Sequence, residues 1–302
     1  MQVRFWLVTC FVLGVVLGTT REAGAQTAAP GWTGDLAQLR QVARLIPGPR
    51  PLRVNVWKFA ESRRTKNFAV KGEAAQPSVQ ARTVFQVMYS DGYVMVDSGM
   101  DLQVHKTFGR GVEEPFSAEA NELVQKALRG ARLIVMTHEH GDHMAGVIRS
   151  TALDEIAPKT ILTRTQAHTL ITKPQMPEIA LKESDLARYR VIDYDKYLPL
   201  APGIALMKAA GHTPGSQMVF VAPQNGPEIL LIGDATWHMD GVRLMKGKDA
   251  PWVTEDADAV MAQLTWLNGL LRETNLQVVA SHDEEQHKDL VARKILGGLL
   301  EP

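Results

Sequence analysis

Leu133-Ile134-Val135-Met136-Thr137-His138-Glu139-His140-Gly141-Asp142-His143 decides how this chain is read. An apolar strand runs straight into three histidines and an aspartate. Buried polar groups without partners cost free energy, so such a cluster at a strand end needs something to bind. Imidazole and carboxylate donors together suit zinc and similar divalent ions. His138 and His140 are two positions apart, so an extended strand end points both the same way. Gly141 then lets the chain turn, and Asp142 and His143 can face a second ion beside the first. A solvated polar loop would explain one histidine, but it does not explain H-x-H-x-D-H after a strand.

Working outward, three more candidate ligands each follow an apolar strand. His212 lies in Gly211-His212-Thr213-Pro214-Gly215-Ser216, after a strand predicted at Ile204–Lys208. Asp234 lies in Ile232-Gly233-Asp234-Ala235, after Ile229–Ile232, and His282 lies in Ala280-Ser281-His282-Asp283, after Gln277–Ala280. Each alone is weak evidence. Together with the first cluster they can meet along one edge of the sheets.

Periodicity and punctuation give the remaining elements. Arg53–Phe59 alternates as a strand does, and Val79–Tyr89 and Tyr93–Val96 flank the turn signal Asp91-Gly92. Ser117–Leu128 reads as a helix with Ser117 as N-cap. Thr160–Thr163 and Met218–Val221 read as strands, Gln166–Ile171 as a helix, Glu255–Glu273 as a long helix and Asp283–Leu296 as the last. Strands mixed with helices throughout predict α/β layers around sheet cores.

The hydrophobic fraction is 45%, the charged fraction 22%, and 33 basic residues balance 33 acidic ones, the composition of an ordinary globular protein. Zero formal charge argues against a nucleic-acid partner, which would draw on a basic excess. The loose basic stretch Lys58, Arg63, Arg64, Lys66 and Lys71 reads as a solvated loop. Arg4, the apolar run Phe5–Gly18 and Ala23-Gly24-Ala25 read as a cleaved secretory signal over residues 1–25, which predicts a periplasmic or secreted protein with no stable membrane association after cleavage. Residues 26–51 read as an N-terminal leader and 52–302 as one domain. Cys10 is the one cysteine and falls in the signal, so the mature chain has neither a disulfide framework nor a thiolate ligand. Nothing in the patterning specifies an oligomer.

These motifs resemble the metallo-β-lactamase superfamily from about Leu52 to the C-terminus. Tyr93-Val94-Met95-Val96-Asp97-Ser98-Gly99 resembles its strand ending in D-x-G; T-H-E-H-G-D-H, G-H-T-P-G-S, G-D-A and the final S-H follow in the family order. The resemblance implies an αβ/βα sandwich of two mixed sheets flanked by helices, with a metal site at one sheet edge. It implies two divalent ions, zinc first and manganese, iron or cobalt with the same donors. One ion falls to His138, His140 and His212, the other to Asp142, His143 and His282, with Asp234 bridging and Asp97 supporting the ligands from behind. Such ions lower the pKa of a shared water from about 15.7 towards 7, which implies hydrolysis of a small-molecule carbonyl substrate.

Within the superfamily, Ser281-His282-Asp283-Glu284-Glu285-Gln286 resembles the G-H-D-x-E-Q of N-acyl homoserine lactonases, and a bridging Asp234 is typical of that branch. A lactone or related ester is therefore the expected substrate, with an exported β-lactamase as the alternative. Asp142, Asp234 and Trp237 are the expected catalytic residues. Those lactonases usually carry a tyrosine where this chain has Trp237, and an indole N–H donates a hydrogen bond but cannot accept one. Residues His168–Tyr197, with Lys173-Pro174-Gln175-Met176-Pro177, read either as a substrate-covering loop or as surface packing. His168 and His238 are candidates for the cleft, whereas His105 and His287 are expected near the surface.

Overall fold

The computed structural model describes residues 31–301, so the predicted signal and the first residues of the predicted leader lie outside the described residues. The elements run, in order, α1 (Leu36–Val42), β1 (Arg53–Thr65), α2 (Lys66–Ala69), β2 (Pro77–Tyr89), β3 (Gly92–Val96), α3 (Leu102–Phe108), α4 (Ala118–Gly130), β4 (Leu133–Val135), α5 (Gly141–Ile148) and α6 (Leu153–Ile156). There follow β5 (Thr160–Thr163), α7 (Arg164–Thr172), β6 (Arg190–Ile192), β7 (Tyr197–Ala201), β8 (Ile204–Lys208), β9 (Gln217–Val221), β10 (Glu228–Leu231), α8 (Met239–Leu244), α9 (Ala257–Leu270), β11 (Leu276–Val279) and α10 (Glu284–Ala292).

The strands form a six-stranded sheet, ordered β1-β2-β3-β4-β5-β6, and a five-stranded sheet, ordered β11-β10-β9-β8-β7. Both are mixed: β1–β2–β3 pair antiparallel and β3–β4–β5–β6 parallel, while β10 pairs parallel with β11 and antiparallel with β9. The sheets face one another through Val54, Val56, Phe85, Val94, Val96 and Val135 on one side and Leu206, Val219, Val221, Ile229, Leu231 and Val279 on the other. The outer face of the first sheet is covered by α4, α5 and α7, through Val124, Leu128, Met144 and Leu170. That of the second is covered by α9 and α1, through Leu264, Leu267, Leu39 and Val42. The predicted αβ/βα sandwich is what forms.

The hairpin is anchored where the Asp91-Gly92 signal puts it, with Tyr89 facing Gly92, and Ser117 caps α4 by accepting from the Ala120 N–H. No helix among the described residues is long and apolar enough to cross a membrane. Of the basic stretch, Lys58, Arg63, Arg64 and Lys66 each meet a carboxylate.

One sequence-based boundary is corrected. The segment read as a leader up to residue 51 belongs to the folded unit, which runs from Trp32. Leu36, Leu39, Val42 and Ala43 sit in the same buried cluster as Met207, Phe220 and Leu264. A seven-residue helix carries too little periodicity to identify by itself; its three core positions matter only because β8 and α9 lie beneath them. Leu39 is fully buried, so Leu39→Ala should cost about 2–5 kcal/mol in denaturant-induced unfolding, the usual penalty of a core truncation. An unchanged unfolding midpoint would return the segment to a detached leader.

Candidate metal centre

All seven predicted ligands converge at one edge of the sandwich. His138 and His140 leave the end of β4, and Asp142 and His143 occupy the first turn of α5. His212 lies between β8 and β9, Asp234 just after β10 and His282 just after β11. Three groups have ligating atoms within 4.8 Å of one another: His138, His140 and His212; Asp142, His143 and His282; and His138, His143 and Asp234. Asp234 thus lies between the two outer groups, 3.2 Å from His282 Nε2 and 3.6 Å from His212 Nε2.

The far sides of the ligands are held. His143 Nδ1 donates to Asp97 Oδ2 at 2.8 Å, His212 Nδ1 to Glu255 Oε2 at 3.0 Å, and His282 Nδ1 to the Ala81 carbonyl at 2.7 Å. Thr137 Oγ1 donates to Asp97 and lies 3.1 Å from His138 Nδ1. Such partners fix the tautomer and aim Nε2 inward. The inward atoms His138 Nε2, His143 Nε2 and Asp234 Oδ1 are buried and make no hydrogen bond. Orphaned buried donors and acceptors of this kind are costly unless something binds them. The residues present therefore fit divalent metal binding.

Electrostatics agree. Burial, then neighbouring imidazoles, hold His138 well below the usual histidine range, and burial with His212 lowers His140 to about 3, so both rings are neutral donors at pH 7. Burial opposes ionisation of Asp142, yet Arg82 and His143 keep its carboxyl well below the carboxylate range. Asp234 is likewise held ionised against burial by His282, His138 and His143. His143 goes the other way: despite burial, Asp142, Asp97 and Asp234 hold it well above its ordinary value, so a proton sits among carboxylates where a cation could replace it.

Several contributors carry no sequence signature of their own. Glu255 orients His212 and pairs at 2.9 Å with Lys248, whose side chain is shielded from solvent and whose Nζ also donates to the Asp234 carbonyl. Arg82, on β2, is ion-paired with Asp142. Glu139 was also missed, although its place between His138 and His140 was a signal that could have found it. Its Oε2 accepts from Thr213 Oγ1 at 2.7 Å and its Oε1 from the Gly215 N–H at 3.0 Å, which fastens the turn bearing His212 to the strand end bearing His138. Gly215 has no room for a side chain there: an added Cβ would stand 2.6 Å from Glu139 Oε2.

A cavity of about 580 Å³ opens over the ligands. Phe108, Met176, Trp237, Trp252 and Val253 form its apolar wall, and Arg64, Arg110 and Lys173 also line it. The segment left open between cover and packing does both. Lys173, Pro174, Gln175 and Met176 line the cavity, and Gln175 Oε1 accepts from the Gly141 N–H at 2.8 Å, while Ile179, Leu181 and Tyr189 are core. Trp237 is in the cavity wall, but its indole N–H is spent on Asp234 Oδ2 at 2.7 Å.

The other histidines stay out. His168 is exposed and away from the cavity lining, and His238 caps α8 by accepting from the Asp240 N–H. His105 and His287, expected near the surface, are buried. His105 Nε2 lies 3.3 Å from the Glu114 carbonyl and His287 Nε2 2.7 Å from that of Ala280. Burial lowers His287 to about 4.

No family model matches the chain. An N-acyl homoserine lactonase of Bacillus thuringiensis is 23% identical over 214 residues, covering 66% of this chain and 79% of its own length. One of Bacillus cereus is 25% identical over 215 residues, with the same coverage. Among solved structures, an N-acyl homoserine lactone hydrolase with N-hexanoyl-L-homoserine at its catalytic metal centre superposes with a TM-score of 0.63 at 16% identity, over 80% of this chain and 96% of that one. A dizinc quorum-quenching lactonase gives 0.55 at 14% identity, over 78% and 91%. The chain has the fold of these lactone hydrolases, and its described residues cluster candidate metal ligands at one sheet edge. In sequence it resembles N-acyl homoserine lactonases.

Glu139→Gln keeps one good acceptor where two are used. It should lower stability by about 1–3 kcal/mol. It should also weaken metal uptake without abolishing it, read by thermal unfolding and metal stoichiometry on the same sample. Unaltered values in both would show that the His212 turn is held by its other contacts.

Proposed function

We propose that this protein is an exported, binuclear metal-dependent lactonase or related esterase, with zinc as its resident ion. The observation that carries the reading is the convergence of all seven ligands beside a cavity with an apolar wall, which His140, Asp142, His212 and Asp234 line. His138, His140 and His212 would hold one ion, Asp142, His143 and His282 the other, and Asp234 both. Bound there, divalent ions supply a nucleophilic water at neutral pH and a Lewis acid for the substrate carbonyl.

The chain's own residues do the rest. Trp237 donates to Asp234 and so fixes the carboxylate shared by the two groups, leaving its ring to the cavity wall. It thereby serves positioning rather than the proton-passing task a phenol could perform. The cavity is the size of an ordinary small-molecule pocket, roughly 300–1,000 Å³. Its apolar wall fits a lipophilic acyl group, which supports N-acyl homoserine lactones and related esters as the substrate class. The N-terminal signal pattern supports action outside the cytoplasm. The alternative, an exported β-lactamase, is disfavoured by the carboxylate of Asp234 at the centre of the ligand set.

Purified protein of known metal content should open an acyl homoserine lactone or a simple aliphatic lactone faster than it turns over a chromogenic β-lactam. His140→Ala should reduce that rate by more than about a hundredfold, beyond the range of changes to outer partners of ligands. A chelator should abolish the activity and added zinc restore it. Turnover of the β-lactam with no lactone opening would move the protein to the alternative class.

A further inference from the structure

Arg82 places a cation on the side chain of a candidate ligand, Asp142. It comes from β2, a strand that contributes no ligand. Its Nη1 donates to Asp142 Oδ2, its Nη2 donates to Ser62 Oγ at 2.9 Å, and its Cζ lies 4.8 Å from the Phe108 ring centroid. With Arg82 6% and Asp142 5% exposed, little water screens the pair. Asp142 Oδ2 is also the atom 3.4 Å from His282 Nε2 and 3.5 Å from His143 Nε2. One carboxylate oxygen therefore serves a fixed guanidinium and faces the place of a metal ion.

The partners of the imidazoles act in the opposite sense. Asp97 behind His143, Glu255 behind His212 and the Ala81 carbonyl behind His282 all accept a hydrogen bond, which raises the basicity of the ring nitrogen facing inward. A guanidinium does the reverse to a carboxylate: it keeps its charge in any protein environment and draws on the charge of its partner. It also places a fixed cation beside a cation site. On the side of His138, His140 and His212, Lys248 pairs with Glu255 Oε2 behind His212 rather than with a ligating atom.

We propose that Arg82 is a positioning residue that makes the two metal positions unequal. It fixes Asp142 in place while weakening it as a donor. The ion held by His138, His140 and His212 then binds first, and the ion held by Asp142, His143 and His282 binds second and more loosely. This inference rests on the binuclear reading of the site.

The test is a titration of the metal-free full chain with Zn²⁺ against a chromogenic chelator, with Co²⁺ spectra to assign the order of filling. Wild type should show two steps separated by roughly tenfold or more in affinity, the scale on which outer partners tune a ligand. In Arg82→Gln the second step should tighten by roughly tenfold, with the first unchanged. Arg82→Lys, which keeps the charge, should stay near wild type. Thermal unfolding of each metal-free variant checks that it folds. Equal steps in wild type overturn the proposal, as does a second step that is unchanged or weaker in folded Arg82→Gln. Should Arg82→Gln not fold, the wild-type and Arg82→Lys titrations decide by the same criteria. Uptake of fewer than two ions by wild type would instead sink the binuclear reading.

Discussion

Asp97 ties the metal centre to the sheet. It sits at the end of β3, fully buried, with its backbone in the left-handed region at φ 64°. A non-glycine residue there costs on the order of 1–3 kcal/mol and persists only where its surroundings fix it. Those surroundings are the Thr137 N–H, the Thr137 hydroxyl and His143 Nδ1, all donating to the Asp97 carboxylate. Thr137 precedes His138, and His143 ends the ligand run, so one carboxylate grips both ends of the segment with four of the seven ligands. Backbone strain at one residue is thereby exchanged for a fixed direction of departure from β4.

The second sheet completes what Asp97 begins. His212, Asp234 and His282 come from the ends of β8, β10 and β11, which reach the site only because the two sheets pack face to face. Glu139 carries the coupling across, from the first sheet's ligand run to the turn bearing His212. Gly233, at φ 54°, lets the chain swing Asp234 inward where an added Cβ would stand 3.0 Å from the Thr137 Cβ. His138 Nε2, His143 Nε2 and Asp234 Oδ1 face inward without hydrogen bonds, while the outer nitrogens of His143, His212 and His282 are held. That asymmetry, rather than the number of histidines, distinguishes a metal centre from a buried polar cluster.

Much of this was legible because it is local. The strand leading into H-x-H-x-D-H, the Asp91-Gly92 hairpin and the Ser117 cap all depend on residues within a few positions of one another. The residues that converge could be picked out for the same reason, since His138, His212, Asp234 and His282 each follow an apolar strand and Asp142 and His143 lie within five positions of His138. Helix α1 was not, because seven residues carry little periodicity and its burial depends on β8 and α9. The buried His105 and His287 were misjudged because burial is a property of neighbours distant in sequence.

The sequence by itself therefore determined the types and order of the residues that converge, and α/β layers around sheet cores, while the sandwich was what the family resemblance implied. The first two follow from side-chain chemistry and from the alternation of apolar strands with turns. Only the tertiary structure decided what stands behind each ligand. Arg82 on Asp142, Glu255 on His212 and the Trp237 N–H on Asp234 join elements that are far apart in the chain or, for Trp237, depend on the side chain's direction. No spacing rule encodes such pairings, because they arise when sheet edges meet in a low-dielectric interior where each charge must find a partner.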